Sequence, residues 1–132
     1  MKNLFLLRHA KSSWDNAALG DFDRPLSKRG ISNAIQLSEY IQKHSISFDL
    51  VLSSPSERTQ STLDLVLSSL DPIPKTSLKE SIYHASASSL SQLIKELDDE
   101  INNLLIIGHN PGLHILTETL TNESIVKFPT CA

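Results

Sequence analysis

With one cysteine, Cys131, among 132 residues, the chain can form no internal disulfide and no thiolate metal site. No apolar run approaches the ~20 residues of a membrane span, and the opening lacks the basic and apolar regions of a secretory leader. A cytoplasmic protein with no membrane partner is expected. Nor is there a strong excess of either charge: the formal net charge is −3. That balance argues against a nucleic-acid partner and leaves room only for a locally basic pocket. The sequence also lacks a Walker-type glycine loop, a clustered aspartate pair of metal-binding type, a Gly-x-Ser-x-Gly elbow and a Cys-x5-Arg loop. It has no internal repeat, low-complexity tract or interdomain linker, and its length suits one domain.

What it does have is a short apolar run, Leu4-Phe5-Leu6-Leu7, that stops at Arg8-His9. The run suits a strand buried on both faces at the centre of a parallel sheet, with Arg8 and His9 at its carboxyl end. Ser12 to Arg24 follows as a polar connection, either a binding loop over a site or a solvated excursion. Ser27 is the expected N-cap of a helix whose apolar stripe is Ile31, Ala34, Ile35, Ser38 and Ile41, weakened slightly by Gly30 and ending near His44. Phe48–Leu52 is the second buried strand. After it, Ser54 can cap a helix that has Pro55 in its first turn and reaches about Leu70.

Asp71-Pro72-Ile73-Pro74 breaks that helix, and Ser77–Ile82 reads only as a short irregular element. From Ser89 onward, Leu90, Leu93, Ile94, Leu97 and Ile101 fall at amphipathic helical spacing. Leu104–Ile107 is the third buried strand, followed by Gly108-His109-Asn110-Pro111-Gly112 and a helix from Leu113 to about Leu120. Strands alternating with helices imply a parallel sheet with right-handed crossovers, so the three strand ends share one edge. In open α/β sheets that edge binds ligands. It receives Arg8-His9, then Ser54 with Arg58, then His109, although His109 alone could be an ordinary turn histidine.

These residues allow phosphoryl chemistry without a metal or other cofactor. An imidazole with one ring nitrogen held by a hydrogen bond can attack phosphorus through the other, a role that fits His9. The guanidiniums of Arg8 and Arg58 can fork onto non-bridging oxygens, and a charged His109 would donate to the same oxygens.

Together these stretches resemble the histidine phosphatase superfamily. Arg8-His9-Ala10 stands for its Arg-His-Gly hallmark, with alanine in place of the commoner glycine. Ser53–Thr62 resembles its second-arginine motif, and Gly108–Gly112 its second-histidine motif. Arg8–Trp14 followed by Asp21–Gly30 is similar to the small SixA-type branch. The resemblance implies a three-layer αβα sandwich with a mainly parallel sheet, phosphoglycerate mutase-like. It implies a single histidine phosphatase domain over residues 1–132, stopping at Phe128–Ala132, where the family's final strand would follow. It also implies catalysis by His9 with Arg8, Arg58 and His109 as the phosphate pocket, and a phosphohistidine enzyme intermediate. The substrate would be phosphohistidine on a protein, such as a histidine-phosphotransfer domain. Glu80 resembles the proton donor of mutase-like relatives, though as readily it is a solvated carboxylate. A small-molecule phosphomonoesterase or mutase, and a non-catalytic phosphate-binding module, remain as alternatives.

Overall fold

A computed structural model describes residues 3–132. Four strands, β1 (Asn3–Arg8), β2 (Leu50–Ser53), β3 (Lys75–Leu78) and β4 (Asn103–Gly108), form an all-parallel sheet in the order β1-β4-β2-β3. Four helices connect or follow them: α1 (Lys28–Lys43), α2 (Glu57–Leu67), α3 (Ala87–Lys95) and α4 (Gly112–Thr121). Short 3-10 turns stand at Asp21–Asp23 and Glu80–Ile82.

Because side chains alternate across a strand, the two central strands feed two separate cores. Val51, Leu105 and Ile107 face one side, where they meet Ala34 and Ile41 of α1 and Leu63, Val66 and Leu67 of α2. Leu50, Leu52, Leu104 and Ile106 face the other, against Leu90 of α3 and Leu113 and Leu116 of α4. The result is a three-layer α/β/α sandwich with all strand carboxyl ends on one edge. None of the helices among the described residues is long and apolar enough to cross a membrane.

Several local expectations are corrected. β1 is an edge strand and only partly buried; the central positions belong to β4 and β2. The element beginning at Lys75 is a fourth strand. Its residues are mostly exposed, as suits an edge, so it carries no buried apolar run. On α1 the buried face is Gly30, Ala34, Ser38 and Ile41, whereas Ile31 and Ile35 are exposed. Small side chains face inward because the neighbouring chain runs close: a Cβ on Gly30 would lie 2.1 Å from the Lys11 carbonyl oxygen. α2 starts after Ser56, not Ser54, and stops at Leu67. Helix α3 starts at Ala87, capped by the Ser86 hydroxyl, and ends at Lys95, yet Leu97 and Ile101 still pack on the same core from the loop that follows.

The end of the chain returns to β1. The Arg8 amide donates to the Ala132 carbonyl at 3.0 Å, and the Cys131 amide donates to the Arg8 carbonyl at 3.0 Å. Residues near the C-terminus thereby satisfy the open edge of β1 beside His9.

Candidate active site

The carboxyl ends of β1, β2 and β4 open into a pocket of about 230 Å³ lined by, among others, Arg8, His9, Arg24, Arg58, His84 and His109. Each side chain arrives there for a local reason. His9 immediately follows β1, and its amide donates to the Gly108 carbonyl at 3.1 Å, extending the β1–β4 ladder by one residue. Ala10 is fully buried, and its amide donates to Thr62 Oγ1 at 3.0 Å. The methyl group that replaces the commoner glycine hydrogen therefore packs into the core beneath the pocket.

His9 is held in one tautomer. Its Nδ1 lies 2.8 Å from the Ala10 carbonyl oxygen, which can only accept, so Nδ1 carries the proton and Nε2 keeps a free lone pair. Burial, with the nearby guanidiniums of Arg58, Arg8 and Arg24, pushes the imidazole down to about 4 despite that hydrogen bond. It is neutral, and hence nucleophilic, through the physiological range.

His109 sits 5.3 Å from His9, ring centre to ring centre. Its Nε2 is 2.8 Å from the Ser54 hydroxyl and its Nδ1 is 3.3 Å from Arg58 Nη2. Since Arg58 can only donate, Nδ1 accepts and Nε2 donates to Ser54. Ser54 thus holds the His109 ring and is not the residue that caps α2, which is Ser56. Burial, followed by the charges of Arg58, His9 and His84, pushes His109 down to about 3, so the ring is neutral through the physiological range. The charged form expected from the sequence requires a bound dianion to draw in a proton.

Arg58, on the first turn of α2, is pinned by the Asp21 turn. Its Nη1 donates to the Asp21 carbonyl at 2.6 Å and its Nη2 to Asp21 Oδ2 at 3.0 Å. Asp21 also accepts from Arg24 Nη1 at 3.0 Å and from the Tyr83 hydroxyl at 2.6 Å. Burial works against its charge, but the hydrogen bonds from Tyr83, Arg58 and Arg24 outweigh it and hold the carboxyl well below the usual carboxylate range. Arg24 is buried, reaches the Ser12 hydroxyl, and has Trp14 stacked at 3.3 Å from its guanidinium carbon. Arg8 points from the end of β1, its Nη1 donating to the Phe128 carbonyl at 3.2 Å while its buried Nε has no partner.

The pocket therefore brings together four of the five residues singled out in the sequence. Glu80 is exposed on the 3-10 turn after β3 and is not among the residues lining the pocket. Asp21, Arg24, Tyr83 and His84 were not singled out. Arg24 and Asp21 had a signal in the polar density of the long Ser12–Arg24 connection; Tyr83 and His84 follow an irregular turn and had none. The arrangement offers an imidazole nitrogen on a neutral ring, three guanidiniums and, among the described residues, no carboxylic acid along the pocket wall.

A parallel sheet whose carboxyl edge presents an arginine–histidine pair facing a second arginine and a second histidine defines a class. The chain belongs to the histidine phosphatase superfamily (branch 1), whose family model matches residues 4–105. Among curated proteins it is 32% identical, over 98% of its length, to an uncharacterized chloroplastic protein of Arabidopsis thaliana, of which it spans 63%. It is 30% identical, over 89% of its length, to an uncharacterized protein of Mycobacterium tuberculosis, of which it spans 72%. Among solved structures, the candidate phosphohistidine phosphatase SixA from Agrobacterium tumefaciens superimposes with a TM-score of 0.90 at 26% identity, covering 97% of this chain and 86% of that one. A phosphoglycerate mutase from Bacillus anthracis shares the fold at a TM-score of 0.78 and 16% identity, covering 98% of this chain and 84% of that one.

Proposed function

We propose that the chain is a phosphatase that removes the phosphoryl group from phosphohistidine on a protein, by way of a phosphorylated His9. The observation that carries this is the locked tautomer of His9: Nδ1 is spent on the Ala10 carbonyl, so Nε2 is the atom free to attack. In the first step Nε2 bonds to phosphorus as the bond from phosphorus to the leaving group breaks. The guanidiniums of Arg8, Arg24 and Arg58 neutralise charge spreading over the non-bridging oxygens. In the second, water attacks phosphorus, the P–N bond breaks, and inorganic phosphate leaves.

The leaving group decides the substrate. An alkoxide needs a strong acid to protonate it, and the pocket wall holds no carboxylic acid. Imidazole leaves readily because its conjugate acid has a pKa near 6.5. A phosphorylated histidine presented by another protein, such as a phosphotransfer domain, is the substrate that this wall suits, and the SixA likeness supports the same choice. The test compares kcat/KM for a phosphohistidine protein, a phosphoserine peptide and 3-phosphoglycerate at one pH, each with wild type and His9→Ala. Phosphohistidine should be preferred and His9→Ala inactive on all three. A preference for 3-phosphoglycerate would establish the small-molecule reading instead.

A further inference from the structure

His84 has no part in the scheme above, yet it lines the same pocket. Its backbone is in the left-handed region at φ 55°, an uncommon conformation for a residue with a Cβ. Its ring lies 5.9 Å from that of His109 between ring centres and 4.0 Å from that of Tyr83, tilted to both. Nε2 of His84 faces Asp21 Oδ2 at 3.4 Å. Asp21 is kept anionic by Arg58, Arg24 and Tyr83, so it favours the His84 tautomer with the proton on Nε2. The lone pair is then on Nδ1. His84 thus turns one nitrogen toward a carboxylate, which leaves the other to accept.

The two rings differ in access. His9 is 7% exposed, whereas the His84 side chain is 60% exposed and reaches solvent from the pocket wall. The second half of the reaction needs what such a group supplies. Water attacking the phosphoryl group on His9 must lose a proton, and Arg8, Arg24 and Arg58 can only donate. His109 donates through Nε2 to Ser54 and accepts at Nδ1 from Arg58, so both of its nitrogens are engaged.

We propose that His84, oriented by Asp21, is the general base for hydrolysis of the phosphorylated His9. This rests on His9 being the phosphorylated residue. The water oxygen bonds to phosphorus, one water proton goes to His84 Nδ1, and the electron pair of the P–N bond returns to His9 Nε2. The proton then leaves from His84 to solvent. The role belongs to the second step alone, because an imidazole leaving group makes little demand on the first.

Rapid-quench kinetics with a radiolabelled phosphohistidine protein separates the two steps. In wild type, acid-labile and base-stable label should appear on the enzyme and decay. In His84→Gln, label should appear at the wild-type rate and decay about 100-fold more slowly, within the range for loss of a general base, so that phosphoenzyme accumulates as a burst. His84→Glu, which restores an acceptor, should recover much of the decay rate. Decay at the wild-type rate in His84→Gln, or equal slowing of both steps, would overturn the base assignment while leaving His9 phosphorylation standing. Failure to label wild type at all would overturn both readings together.

Discussion

Asp21 is the residue on which the most contacts in the site depend. One carboxylate holds Arg58, Arg24 and Tyr83 and faces His84, so its loss frees two guanidiniums that are otherwise preorganised. Asp21→Ala is expected to lower kcat/KM about 100-fold, comparable to losing one preorganised donor, and Arg58→Ala about as much or more. Steady-state kinetics on the phosphohistidine substrate checks both. His9 and His109 make a separate prediction about acid. Their folded values, about 4 and about 3, lie below the ordinary 6.5, so between those limits the unfolded chain binds more protons. Stability should therefore fall as pH drops from about 6.5 toward 4, and be insensitive to these two groups above 7. Asp21, with its lowered pKa, adds a loss in the same direction at lower pH. Urea midpoints measured from pH 4 to 7 should show the decline, and His109→Gln should flatten it. At this scale the sequence showed Arg8, His9, Arg58 and His109, because each ends a strand, directly follows one or lies in the first turn of a helix. It did not show Asp21 or His84, whose roles come from contacts across 37 or more positions in the chain.

Two helices owe their placement to glycines that permit contact with the loops carrying the site. A Cβ on Gly30 would lie 2.1 Å from the Lys11 carbonyl, and one on Gly112 would lie 2.2 Å from the Ala85 carbonyl. Both obstacles are backbone, so neither can swing aside. Gly30→Ala should displace Lys11–Ser12, and Gly112→Ala should displace the segment just after His84. Each is expected to destabilise the fold by about 2–4 kcal/mol, read from chemical denaturation, despite alanine's better intrinsic helix propensity. A gain in stability would contradict the close approach. That sign could not be read from the sequence, where Gly30 looked like a minor weakness in a helix; the contact is with a residue 19 positions earlier. The elements themselves were legible wherever burial imposes a period. β2 and β4 show as apolar runs, and α1 shows its N-cap, because Ser27 Oγ accepts from the Gly30 amide at 3.0 Å. β3 was not, since an exposed edge strand of Lys, Thr, Ser and Leu imposes no pattern.

For the molecule as a whole, an oxyanion that fills the pocket should act as a stabilising ligand. At 100 times its dissociation constant it adds about 2.7 kcal/mol, enough to raise Tm by several degrees in a domain of this size. Vanadate or tungstate titrated in a thermal melt should show that rise, and Arg58→Ala should remove most of it. The pairing of β1 has a further consequence. Its strand partner is β4 alone, each residue matched to one 100 positions later, from Asn3 with Asn103 to Arg8 with Gly108. The ribosome therefore makes Arg8 and His9 about 100 residues before the strand beside which they must lie. Until Asn103–Gly108 has emerged, the first strand lacks its one strand partner among the described residues, and His109 does not yet exist. His9 therefore waits, without the strand that supports it, while the residues between are made, and the pocket comes together only when Asn103–Gly108 pairs with β1.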